Sequence, residues 1–124
     1  MDENNKTDIN ILTYEFAVRI IQLYRYFTEQ STIREYNICN QLERSATSIG
    51  ANVREAKYAQ SKADFLTKMT IALKEASESI YWLDLLKDGK YLNEEQAQSL
   101  INEAGSIKRV LTSIVKTTRE SLGK

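Results

Sequence analysis

Glu75 and Glu78 stand three residues apart in a stretch of helical spacing, so both carboxylates share one helix face. Such a pair can hold a metal ion or divide the work of a general acid and base when a histidine or further carboxylates meet it. The chain contains no histidine, which removes the commonest general base and metal ligand. It also removes the Glu-x-x-His pair that a ferritin-like di-iron site takes from each of two helices. The ordinary use of the two carboxylates is then bonding to Asn52, Arg44, Arg54 or a tyrosine hydroxyl. Cys39 is the single cysteine, beside an apolar stripe and without a histidine to activate it, and reads as a buried structural thiol. Gly50 lies inside a helical pattern with no strand before it, which is not the context of a phosphate-binding loop. No catalytic, cofactor-binding or metal-binding residue is assigned, and the chain is expected not to be an enzyme.

The elements that carry these residues follow from apolar periodicity and caps. The 124 residues fit one domain, residues 1–124, with 1–7 expected to be flexible. Proline is absent and glycine occurs four times, which favours long helices. A first helix is predicted from Asp8 to about Glu29, with Leu12, Phe16, Ile20, Leu23 and Phe27 on one face. Thr32 and Glu35 form a capping box that opens a second, whose stripe is Ile38, Leu42, Ala46, Ile49, Val53 and Ala56. Ser61 and Asp64 start a third, carrying Phe65, Met69, Ala72, Ala76, Leu83 and Leu86, and Asp88-Gly89 stops it with Gly89 as a left-handed cap. Asn93 and Gln96 open a fourth, with Ala97, Leu100, Ala104, Ile107, Leu111, Ile114 and Thr118 in step and Gly123 at its close. Short connections make successive helices antiparallel neighbours. The expected fold is an all-α, up-down-up-down four-helix bundle.

Two helices have more to bury than one core face. In the second, a run of small residues from Ser45 to Ala51 keeps the apolar spacing, and a second stripe of Gln41, Ser45, Ser48, Asn52, Glu55 and Ala59 runs beside the core stripe. Gly50 costs about 1 kcal/mol against alanine in a helix interior, a loss that close approach of another helix offsets. The third carries Ile71, Glu75, Glu78, Trp82 and Leu85 on a further side, broadened by Leu66, Leu73 and Tyr81. A helix apolar on more than one side is buried on more than one side. Trp82 and Leu85 in water would form the kind of patch that marks an interface, so a homo-oligomer is expected.

Charge and targeting narrow the partners. Seventeen basic residues balance seventeen acidic ones, so no global field draws the chain to nucleic acid or to an anionic membrane. No apolar run approaches the about 20 residues that span a bilayer, and the polar opening MDENNKTDIN lacks the apolar stretch of a signal peptide. With the lone cysteine, these features lead us to expect a soluble, cytoplasmic protein with no membrane partner. The seven tyrosines are spread over all four helices and two junctions, which suits edge anchoring better than a base-stacking platform.

The segment QLERSATSIGANVREAKYAQSKADFLTKMTIALKEASESIYWLDLL, residues 41–86, closely resembles the four-helix-bundle proteins encoded by intervening sequences of bacterial 23S rRNA genes. That family includes free-standing chromosomal members and the accessory variability proteins of diversity-generating retroelements. The resemblance rests on Gln41, Leu42 and Arg44, the SIGAN segment Ser48 to Asn52, Glu55, the SKADF segment Ser61 to Phe65, Ile71 to Leu73, Glu75 or Glu78, and Tyr81 to Leu83. It implies a bundle assembled as a ring, typically a homopentamer, with the small-residue segment packed between helices and subunits. Retroelement members are strongly basic and bind nucleic acid and a reverse transcriptase, whereas this chain is neutral with a pI near 6.3.

The function expected is a non-enzymatic, ring-like scaffold or adaptor acting through protein contacts, with Ser48, Asn52, Ile71, Glu75, Glu78, Trp82 and Leu85 at the interface between copies. The protein it would serve is not named by any of these residues. The alternative is a ribonucleoprotein or retroelement accessory that binds RNA or DNA weakly through Arg54, Lys57, Lys116 and Arg119, at the end where the second, third and fourth helices meet. A third class, an enzyme with a small-molecule cleft between subunits, has the least in its favour.

Overall fold

The computed structural model describes residues 8–30 and 36–123. Four helices account for nearly all of them: α1 (Ile9–Gln30), α2 (Tyr36–Ala56), α3 (Lys62–Asp88) and α4 (Glu94–Ser121). The capping box at Thr32 and Glu35 and the segment 1–7 lie outside the described residues. The two later starts form as their residues dictate. Ser61 is extended and its hydroxyl accepts from the Asp64 N–H at 3.0 Å, while the Asn93 side chain accepts from the Gln96 N–H at 2.7 Å. At the far end of α4, Gly123 takes the left-handed conformation, with φ of 73°.

The end of α3 differs from expectation. Gly89 is right-handed, with φ of −78°, and Lys90 is the left-handed residue, with φ of 69°. Tyr91 N–H closes on Leu86 O at 2.9 Å and Lys90 N–H on Lys87 O at 3.0 Å. This is a Schellman motif with lysine in the position that glycine usually fills. The helix runs one residue further than a Gly89 cap would allow.

Side-chain pairs fix the direction of each helix. Tyr24 OH reaches Asn40 Oδ1 at 2.5 Å near one end of α1, and Thr13 faces Gly50 near the other. Ser45 meets Ser79, and Glu55 meets Lys68, across α2 and α3. Lys62 Nζ donates to Ser121 Oγ at 2.5 Å across α3 and α4, and Arg19 pairs with Glu103 across α1 and α4. Residue numbers rise on one helix as they fall on the next, so neighbours are antiparallel all the way round. Each helix packs on its chain neighbours, and α1 closes on α4. No diagonal pair among the described residues makes more than a marginal contact.

The expected stripes form most of the core, with Leu12, Ile38, Phe65 and Thr118 only half-buried at its edge. Phe16, Ile20, Leu23 and Phe27 of α1 meet Leu42, Ala46, Ile49 and Val53 of α2, and α3 and α4 add Leu83, Leu86, Leu100, Ile107 and Leu111. Burying a side chain of this size is worth about 1.5–3 kcal/mol. Cys39 is buried as expected, beside Phe27 and Leu42. Three polar residues join this interior, Thr13, Ser45 and Ser79. Ser45 and Ser79 are fully buried, and their hydroxyls share one hydrogen bond of 2.8 Å across the α2–α3 contact. Ser45 therefore belongs to the core of the chain itself. On α4, Val115 is buried, while Ile114 is half-buried at the edge.

Candidate interaction face

The outward side of α3 holds most of the residues expected at an interface between copies. Tyr81 is 55% exposed with half-buried Trp82 and Leu85 beside it, and Ile71, about three turns nearer the start of the helix, is 38% exposed. Glu75, Glu78 and Trp82 come together around Arg44 of α2. The Arg44 guanidinium lies 3.6 Å from Glu75 Oε2 and pairs closely with Glu78 Oε2, and Trp82 Nε1 donates to the same Glu78 oxygen at 3.0 Å. Tyr81 meets Trp82 edge to face, with ring centroids 5.0 Å apart. The hydrogen bond to Glu78 is the main cause that raises the Arg44 pKa above its ordinary value, so the guanidinium stays charged. Among the four partners open to the carboxylates, Arg44 is selected because it stands level with Glu78 across the antiparallel pair. Glu75 Oε1 is buried with no hydrogen-bond partner. Ser48 and Asn52 are half-buried on α2, and Asn52 Nδ2 donates to the Ser48 carbonyl at 2.9 Å.

The small residues of α2 face a different neighbour. A Cβ added at Gly50 would lie 3.5 Å from both the carbonyl oxygen and Oγ1 of Thr13, so the glycine marks a close approach of α1 and α2. Outside that contact is an open groove of about 350 Å³ floored by Thr13, Ala17, Thr47, Gly50 and Ala51. The Arg54 guanidinium sits over the Tyr14 ring at its rim, 5.8 Å from the centroid.

The four cations expected to meet nucleic acid divide between two grooves. Arg54 belongs to the α1–α2 groove, whereas Lys116 and Arg119 line a groove with Leu73 between α3 and α4. Lys57 is exposed in the turn after α2. Between Glu103 and Glu120, α4 has no acidic residue but carries Lys108, Arg109, Lys116 and Arg119, all exposed and in none of the ion pairs among the described residues.

A second outward stripe went unread in the sequence: Tyr14, Val18 and Ile21 on α1, with Tyr14 58% and Ile21 46% exposed. Its spacing of four and three was legible, yet the core stripe beside it accounted for the helix. No helix among the described residues is long and apolar enough to cross a membrane.

Four antiparallel helices and no strand among the described residues define the class of all-α, antiparallel helical bundles. Its family is defined: the chain belongs to the 23S rRNA-intervening sequence proteins, whose family pattern matches residues 5–113. It is similar to a protein of unknown function from the S23 ribosomal protein family of Bacteroides thetaiotaomicron VPI-5482, known from a crystal structure at 1.70 Å. The two share 45% identity over 90% of this chain and 98% of the other, with a TM-score of 0.82. No functionally curated protein matches the chain.

Proposed function

We propose that this protein is a non-enzymatic building block that assembles with copies of itself into a ring-like scaffold, a pentamer as the family resemblance implies. The observation that carries this reading is the outward side of α3, where Tyr81 stands exposed beside half-buried Trp82 and Leu85, and Ile71 stands exposed nearer the start of the helix. One bundle has a single interior, and α3 already fills it with Met69, Ala72, Leu83 and Leu86. Apolar surface left outside is what association removes from water. Sedimentation of the wild-type chain and of Trp82→Ala tests it. The wild type should sediment as an oligomer, and loss of the indole should weaken assembly or stability by a few kcal/mol. An oligomer indifferent to Trp82→Ala would remove α3 from the interface.

A second reading, weak binding of RNA or DNA phosphates, is favoured by the acid-free run of α4 with its four exposed cations. Its contacts would be to the backbone and not to bases, so binding would fall steeply as salt rises. Fluorescence anisotropy across a salt series separates this reading from the scaffold alone.

A further inference from the structure

We infer that the groove between α1 and α2 binds a small carboxylic acid with a flat apolar body, its carboxylate held by Arg54 at one end of the groove. None of the residues that line the groove belongs to α3, so this is a different surface from the face on which the scaffold reading rests. Its open volume of about 350 Å³ lies at the lower end of the range for small-molecule sites, the size for a ligand of one ring.

The polar groups of the groove are sorted to one end. On the floor, Thr13 Oγ1 donates to Ile9 O at 2.7 Å and Thr47 Oγ1 donates to Glu43 O at 2.8 Å, so both hydroxyl protons are engaged inside their own helices. Ala17, Gly50 and Ala51 add no polar side-chain atom. Asn10, Arg54 and Glu55 stand where α1 starts and α2 ends. The Glu55 carboxylate is already matched, because Lys68 Nζ donates to it at 3.0 Å from α3. Arg54 joins none of the ion pairs among the described residues. Its guanidinium is held over the Tyr14 ring, 5.8 Å from the centroid, an attraction that orders the side chain at the mouth of the groove. An ordered guanidinium with its charge unmatched, at the end of an apolar floor, is complementary to a single carboxylate on an apolar body. The planar fork of N–H groups fits a carboxylate with two parallel hydrogen bonds. A ligand charged at both ends would lay its second charge over Ala17 and Ala51, where nothing meets it.

Gly50 points the same way. A Cβ there would make only ordinary contact with Thr13, at 3.5 Å, so the approach of α1 to α2 would accept alanine. Glycine in a helix interior forgoes stability that alanine would supply, and packing within the chain does not require it. What the missing methyl leaves is depth in the floor of the groove. Stability forgone where a ligand needs room is a common exchange in proteins.

Benzoate is the probe, with benzyl alcohol as its neutral counterpart. Saturation-transfer difference NMR on the full chain reads weak binding of both, whatever the size of the assembly. Benzoate should bind with a dissociation constant on the order of 1 mM, and more tightly than benzyl alcohol. Arg54→Gln should weaken benzoate about tenfold or more and leave benzyl alcohol unchanged. Ala51 is exposed, so Ala51→Leu fills the groove from outside the core and should weaken both probes with an unchanged helical circular-dichroism spectrum. Gly50→Ala should weaken both while raising Tm, a combination that a purely structural glycine would not give. Lys116→Gln, in the groove between α3 and α4, should change neither. The site is overturned if benzoate gives no signal at roughly ten times the expected dissociation constant. It is equally overturned if Arg54→Gln or Ala51→Leu leaves benzoate binding intact, or if Lys116→Gln weakens it as much as Arg54→Gln does.

Discussion

Gly50 offers a graded test of how closely α1 and α2 pack. A Cβ there would meet Thr13 O and Oγ1 at 3.5 Å, ordinary van der Waals contact that forces nothing to move. Gly50→Ala therefore gains the helix-propensity difference of about 1 kcal/mol with little to offset it. For a domain of this size that is a rise of about 4 °C in Tm. Gly50→Leu gains nearly the same propensity, but its further carbons extend from a Cβ already in contact with Thr13 and crowd the approach of α1. Overpacking of this kind costs about 1–3 kcal/mol, so the net effect is a loss of about 1 kcal/mol and a lower Tm. Thermal denaturation followed by circular dichroism reads both. An alanine variant that melts below the wild type would mean that the helices are closer than the contact distances state. A leucine variant that melts above it would mean that Gly50 faces open space and that the small residues of α2 have another cause.

Three further outcomes are expected. Lys90→Gly removes a side chain from the left-handed position after α3 and should stabilise the fold by about 1 kcal/mol; a loss of stability in chemical denaturation would count against the motif described for that helix end. Ser79→Ala leaves the buried Ser45 hydroxyl with only its 3.2 Å bond to Leu42 O and should cost about 1 kcal/mol, while adding Ser45→Ala should recover much of it; equal losses in the single and double variants would contradict the shared hydrogen bond. Duplex RNA or DNA should bind weakly or not at all at about 0.15 M salt, where the Debye length is about 8 Å, and tight binding there that disappears on neutralising Lys116 and Arg119 would favour the nucleic-acid reading.

What could be read in the sequence was what neighbouring residues decide between themselves. Ser61 with Asp64 and Asn93 with Gln96 announce helix starts because donor and acceptor are three residues apart. The core stripes were legible for the same local reason, and so was the membership of Glu75, Glu78 and Trp82 in one outer face. What depends on the register between helices was not legible. The wheel puts Ser45 on a second stripe of α2, yet only the level of Ser79 on α3 shows that its hydroxyl is spent inside the chain. The same register chooses Arg44 among the four partners for the carboxylates. At the end of α3, a glycine in the sequence invites the left-handed position, but the hydrogen bonds of Tyr91 to Leu86 and of Lys90 to Lys87 close the helix one residue later, with Lys90 there.

Self-assembly is the claim on which the rest depends, and the mass of the wild-type protein in solution tests it most directly. One chain weighs 14.3 kDa. Sedimentation equilibrium at micromolar concentration should return a multiple of that mass, fivefold for the pentamer that the family resemblance implies. A mass of one chain throughout that range would contradict the account.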